Sequence, residues 1–359
     1  MKSRIGLSLC TISLLSGCVQ SEILDDIAIE IARSYDQIEE NKIKGTMLVY
    51  NFQPDKSIKN TTLTTTATTS REIANKLQKQ ASQPLSEGSL EVILFGKELA
   101  SQGLFDYLDA PIRNASIGAR LFIVTVDGSA HDLITGEYGS RGNAIFISDL
   151  LNHNIEQEDL PNTNLQLFFH DYYQLGKTGY LPQIKKIADD KLKLNGISLF
   201  QGDKIQVVDT IEAKNMFFFK LLVDSYSEGT QKIKVNDSEA IIRSITSKKK
   251  MKITRRNPFE ITIQLKIKGI IREYTGPEIL SKPLIRKIEK KMEEQVTKEC
   301  EKLIKRFKEH KVDPIGLGFF IKTRTRGFNL KGWEDGEEYQ SLKVKIKTNV
   351  EIVESGVIE

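Results

Sequence analysis

Phe259-Glu-Ile-Thr-Ile-Gln-Leu-Lys-Ile267 and, a little further on, PLIRKIEKKMEEQVTKECEKLIKRFKEH (residues 283–310) decide the architecture. In the first, Phe259, Ile261, Ile263, Leu265 and Ile267 alternate with polar or charged residues, the period of a half-buried antiparallel strand. In the second, Ile285, Ile288, Met292, Val296, Cys300, Leu303 and Phe307 recur at steps of three and four, which puts them on one face of a helix. Pro283 suits the first turn of that helix. Leu342, Val344, Ile346, Val350 and Ile352 repeat the strand period, with Thr348 the one lapse. The spacing predicts a C-terminal domain over 226–359, an antiparallel sheet with a long amphipathic helix packed across one face.

Working back from there, Gly196-Ile-Ser-Leu-Phe200 and Ile205-Gln-Val-Val208 read as two short strands turned at Gly202 and Asp203, inside a small middle domain over 176–225. The N-terminal stretch 18–175 mixes strands and short helices. Ile27, Ile29 and Ile31 pair as a hairpin with the β-prone run from Thr46 to Phe52. Leu90 to Phe95 and Arg120 to Val126 suit buried strands, and Ser70 can cap a helix bearing Ile73 and Leu77. The threonine-rich run from Thr61 to Thr69 fits either an edge strand or a linker. The fold class is α+β, a three-module chain with a mixed α/β module at its N-terminal end.

The N-terminus, MKSRIGLSLCTISLLSGC, carries Lys2 and Arg4, then an apolar run of about a dozen residues that is too short to span a bilayer. Leu15, Ser16 and Gly17 before Cys18 resemble a lipobox. The reading is a cleaved leader over 1–17 and a mature chain that begins at Cys18, its sulfur carrying a diacylglyceryl group and its amine acylated as well. Two acyl signals give stable anchoring where one is marginal. Cys10 would leave with the leader and Cys18 would be blocked, so Cys300 would be the one remaining thiol. It sits in the apolar stripe of the long helix and reads as core packing.

Composition removes several function classes. Lys plus Arg is 52 against 48 for Asp plus Glu, a balance of +4, which argues against a dedicated nucleic-acid binder. Three cysteines exclude a disulfide-dense scaffold and a four-cysteine zinc site, and four histidines leave little for a metal centre. Gly176-Lys177-Thr178 resembles the end of a phosphate-binding loop, but the glycine required earlier is replaced by Asp171. His131-Asp132 and His170-Asp171 lack a nucleophile partner, and there is no G-x-S-x-G elbow. No catalytic residue, metal or cofactor is expected beyond the lipid.

Two features remain as contact candidates for membrane or partner. Lys248, Lys249, Lys250, Lys252, Arg255 and Arg256 form the strongest basic cluster. A solvated turn between strands is its simpler reading, and anionic headgroups are the functional one. Trp333, the single tryptophan, lies among Glu334, Asp335, Glu337 and Glu338; it reads equally as a binding anchor or as a partly buried structural residue.

The order of segments carries a resemblance. Glu91-Val-Ile-Leu-Phe-Gly-Lys-Glu-Leu-Ala-Ser-Gln-Gly103 with Leu108-Asp109 and Arg113, then Leu181-Pro182, Leu194-Asn195-Gly196-Ile-Ser-Leu-Phe200 and Asp203-Lys204, then Gly316-Leu-Gly318, Trp333 and a final strand ending at Gly356, together resemble the Ger(x)C family. These are the C subunits of spore nutrient germinant receptors. The chain departs from the family at Val19, where tryptophan is common, and at Ser34-Tyr35, where a glycine commonly precedes the aspartate. The resemblance implies a lipid-anchored, non-catalytic receptor subunit on the outer face of the inner spore membrane. Its partners there would be integral-membrane A and B subunits. An extracytoplasmic solute-binding lipoprotein is the alternative, though such proteins usually close two similar α/β lobes around a cleft.

Overall fold

A computed structural model describes residues 27–52 and 58–355. The leader and lipobox lie outside the described residues. In chain order the elements are β1 (Ala28–Glu39), β2 (Lys42–Phe52), β3 (Ile58–Ala67), α1 (Ser70–Gln78), β4 (Leu85–Ser86), β5 (Val92–Phe95), α2 (Lys97–Gln102) and α3 (Phe105–Arg113). Then come β6 (Phe122–Val126), α4 (Ala130–Ile134), α5 (Asn143–Gln157), α6 (Leu165–Tyr173), β7 (Tyr180–Ala188), β8 (Lys191–Gln201), β9 (Gln206–Glu212) and α7 (Met216–Val223). The chain continues with β10 (Gly229–Val235), β11 (Ser238–Arg256), β12 (Phe259–Tyr274), α8 (Lys282–Glu309), α9 (Leu317–Lys322), α10 (Glu337–Ser341) and β13 (Lys343–Ser355).

The first sheet runs β3-β2-β1-β5-β6-β7-β8-β9, with the short β4 beside β1. β5 (VILF) and β6 (FIVTV) are buried at every position, as parallel strands covered on both faces must be. The threonine run resolves into the edge strand β3, antiparallel to β2. The expected middle domain over 176–225 has no sheet of its own. β7 joins β6 in parallel at Thr125↔Gln183 and Val126↔Ile184, and β8 and β9 extend the same sheet as an antiparallel meander. A three-stranded meander alone buries little apolar surface, and the free edge of β6 offers it a partner.

The second sheet runs β10-β11-β12-β13. Its first three strands are antiparallel as expected, but β13 pairs with β12 in parallel. The reason is the crossover: α8, at 28 residues and roughly 42 Å, carries the chain back along the sheet, so β13 starts beside the start of β12. The α8 stripe is as spaced in the sequence. Ile288, Met292, Val296, Cys300, Leu303 and Phe307 are buried against the sheet, joined by Leu284 and Ile304, while Ile285 is half-buried. The basic cluster is a correction: Lys248 to Arg256 lie within the long strand β11, and the turn falls at Asn257-Pro258.

The two sheets share one core. α7 is wedged between them, buried along Met216 to Leu222. Phe219 lies edge-on to Tyr180 of the first sheet at 5.1 Å and to Phe307 of α8 at 5.9 Å. Lys220, which interrupts this apolar run, turns its ammonium onto the carbonyls of Ile155 and Glu158 at 2.9 and 2.6 Å, at the end of α5. A buried charge held by two carbonyls costs far less than a bare one.

Candidate functional site

The residues that looked like chemistry in the sequence serve structure. His131 Nδ1 lies 2.8 Å from Thr46 Oγ1, and its backbone N–H donates to Asp36, which also takes the N–H of Ala130 at the start of α4. His170 pairs with Asp171 at 3.0 Å, and Lys177 reaches the same carboxylate at 2.7 Å. The described residues hold no group of three or more His, Cys, Asp and Glu placed to ligate a metal. No described helix is long and apolar enough to cross a membrane. An open cleft of about 460 Å³ at the junction is lined by residues that include Tyr173, Leu175, Lys177, Lys311 and Asp335.

Gly176-Lys177-Thr178 docks the second half of the chain onto the first. Thr178 N donates to Asp313 O at 2.9 Å, Thr178 Oγ1 accepts from Asp313 N at 2.8 Å, and Phe319 N donates to Gly176 O at 3.0 Å. The carboxylate of Asp313, fully buried, gathers the N–H groups of Gly316, Leu317 and Gly318 at 2.8–3.0 Å. Burial pushes its pKa up, and those N–H groups with the indole of Trp333 work against that rise. Trp333, 1% exposed, offers no surface to a partner. Its ring packs on Phe328 and Tyr339. Across the same junction Arg306 of α8 donates to Asp209 of β9 at 2.5 Å.

The basic cluster divides by strand alternation. Lys249 points inward, donating to the carbonyls of Leu222 and Val223 at 2.6 and 2.8 Å, and burial pushes its amine down to about 8. Arg255 and Arg256 bind loop carbonyls and Thr325. Lys248, Lys250 and Lys252 point outward and are exposed. Register adds to them from the next strands. Lys266 and Lys268 of β12 share that face, and so do Lys343, Lys345 and Lys347 of β13, all exposed. Two glutamates stand at its ends: Glu260 with Lys345 at 2.9 Å and Glu351 with Lys268 at 3.3 Å. Sequence reasoning found three of these eight lysines. The others were written in the same alternation, Lys-Ile-Lys at 266–268 and Lys-Val-Lys-Ile-Lys at 343–347, as the outward phase of strands read for their inward phase.

Comparison with known proteins covers nearly all of the chain. A family profile described as "Spore germination protein N-terminal domain" matches residues 20–186. A second, "Spore germination B3/GerAC like, C-terminal", matches residues 195–356. The chain belongs to the GerAC-like family of spore germination proteins. It is 31% identical to the spore germination protein GerQC of Bacillus cereus over 352 residues, 96% of each chain. It is 22% identical over 313 residues to the putative spore germination protein YfkR of Bacillus subtilis (strain 168), covering 81% of this chain and 78% of that one. The crystal structure of GerBC superposes with a TM-score of 0.61 at 18% identity, over 90% of this chain and 98% of that one, so the two share a fold. The first profile ends within β7 and the second begins within β8, neighbouring strands of one continuous sheet.

Proposed function

We propose that this family member is the lipid-anchored C subunit of a spore nutrient germinant receptor. It works without catalysis, through contacts with the integral-membrane A and B subunits on the outer face of the inner spore membrane. The observation that carries this reading is the match to a spore germination protein along 96% of both chains. The shared core supports a mechanical role: α7 and the Asp313 junction tie both sheets together, so a contact made by one sheet is felt by the other. Such a body can bias which state of a receptor complex is populated, provided it contacts the two states differently.

Replacing Cys18 with Ala tests the anchored-subunit reading. In a strain without redundant receptors, Cys18→Ala spores are expected to lose nutrient-triggered germination while still responding to non-nutrient triggers. Affinity capture of the native protein from detergent-solubilised spore membranes is expected to recover two multi-span proteins. Normal nutrient germination of the variant would overturn the anchor, and recovery of transporter components alone would overturn the receptor assignment.

A further inference from the structure

We propose that the outward face of the second sheet is a docking surface for an anionic phospholipid bilayer, a second membrane contact that deepens the anchored-subunit reading and rests on it. The register places three neighbouring rows across β11, β12 and β13: Lys252, Thr262 and Lys345; Lys250, Gln264 and Lys347; Lys248, Lys266 and Asn349. Six of these nine positions are lysine and none is acidic. With strands about 4.8 Å apart and rows about 7 Å apart, the six charges occupy a patch of roughly 10 by 14 Å. Most neighbours lie within or near the Debye length of about 8 Å at physiological salt, so they repel one another.

That arrangement works against the fold. Lys248 and Lys266 stand directly opposite, and like charges in cross-strand pairs are destabilising. A merely solvated sheet face mixes both signs throughout. Here the acids stand only at the ends, Glu260 pairing with Lys345 and Glu351 with Lys268, and the other five lysines of the patch have no carboxylate beside them among the nine positions. Here the patch alone holds more positive charge than the balance of +4 over the whole chain, so the remainder is net acidic. An extended anionic surface relieves the repulsion.

The chemistry of the face selects lipid over a protein partner. Protein interfaces concentrate their energy in aromatic and arginine anchors set in desolvated pockets. The nine positions supply no such anchor, and every cation is lysine, a hydrated point charge, rather than the bidentate fork of arginine. The aromatic that does adjoin the patch sits at its rim: Tyr226, 68% exposed, has its ring 5.7 Å from the Lys248 ammonium. An amphipathic ring beside a cationic plane matches the headgroup layer of a bilayer.

The test uses the full chain carrying Cys18→Ala, so that no acyl group contributes, with vesicles of phosphatidylcholine alone or enriched in phosphatidylglycerol. The neutral vesicles measure what the N-terminal apolar segment does by itself. Partition is expected to rise with phosphatidylglycerol and to vanish at about 1 M salt, where the Debye length falls to about 3 Å. Replacing Lys248, Lys250, Lys266 and Lys347 by Gln is expected to lower partition by at least about a hundredfold, each surface lysine being worth about fivefold. Thermal stability should stay equal or rise in that variant as the repulsion is relieved. Replacing Lys290, Lys291, Lys298 and Lys305 on the exposed side of α8 removes the same charge and is expected to leave partition unchanged. Equal losses in both variants, equal binding to both vesicle types, or binding to a DNA duplex without binding to vesicles would each overturn the proposal. Because every arm lacks the acyl chains, these outcomes are independent of the germination test of the Cys18 anchor.

Discussion

The indole nitrogen of Trp333 donates to the buried carboxylate of Asp313 across 2.9 Å, and this bond closes the knot that holds the second sheet against the first. Twenty residues of chain separate the two partners, and in that interval α9 begins on the N–H groups of Leu317 and Gly318 that Asp313 also holds. Gly318 leaves room for the ring: a Cβ there would lie 2.6 Å from Trp333 Nε1.

Trp333→Phe keeps most of the buried ring but removes the donor, and should cost about 1–3 kcal/mol of stability. Asp313→Ala strands the buried N–H donors of Leu317, Gly318 and Trp333, while Gly316 N keeps the Asp313 carbonyl at 3.1 Å, and should cost more, about 3–5 kcal/mol. Urea unfolding of the three proteins gives the order directly. If Trp333→Phe left stability intact and impaired germination, the tryptophan would be a contact residue after all.

The strands and the long helix were legible because their apolar periods, two and near 3.6, are local. Connectivity was not. A period of two is the same for parallel and antiparallel neighbours, so nothing in Leu342 to Ile352 says that β13 runs with β12. β7 reaches β6 through two residue pairs, too little to mark in sequence that 176–225 extends the first sheet. Trp333 read equally as a binding anchor or as a partly buried structural residue, because its sequence neighbours are acidic while the residue that decides its place is the distant Asp313. The lysine face is the reverse case. Every residue was visible, but Lys266 and Lys347 join the patch of Lys248 only once the register is known.

Strand β13 is an edge, and edges invite pairing with another chain. Here α8 covers it: Glu293 accepts the N–H of Val350 at 2.9 Å and Glu289 that of Ile352 at 2.8 Å. The double variant Glu289→Ala, Glu293→Ala frees both groups. It should lose about 1–3 kcal/mol and self-associate at concentrations where the parent is monodisperse, as sedimentation velocity would report. A variant that stays monodisperse would mean that twist or charge, not these glutamates, protects the edge.

Cys300 lies fully buried on α8, and burial raises its thiol pKa strongly. Thiolate is the reactive form, so alkylation of Cys300 should be negligible in the folded protein and should appear only with global unfolding. Peptide mass spectrometry after iodoacetamide treatment across a urea series would follow it. Labelling ahead of the unfolding transition would reveal local opening of α8 from the sheet.

Asp159 gives the fold a pH signature. It follows α5 and meets the start of the second sheet, where its carboxylate accepts the N–H of Thr230 at 3.3 Å. Gly229 backs it so closely that a Cβ would fall 2.2 Å from Oδ1. Burial is the main cause that raises its pKa to about 6, with Glu158 adding to the rise while the Thr230 N–H and Lys220 oppose it. A carboxyl whose pKa is raised by folding favours the folded state in its protonated form. Its contribution is complete below the unfolded value near 3.8 and is lost as pH rises through about 6. Asp159→Asn keeps an acceptor for Thr230 and removes the titration. The variant should therefore match the parent near pH 4 and exceed it by about 1–3 kcal/mol above pH 7, one pKa unit being about 1.4 kcal/mol. Unfolding midpoints measured from pH 4 to pH 8 would show the two curves diverge upward. Parallel curves would mean that Asp159 is ionised in the fold at no cost, its charge solvated or paired.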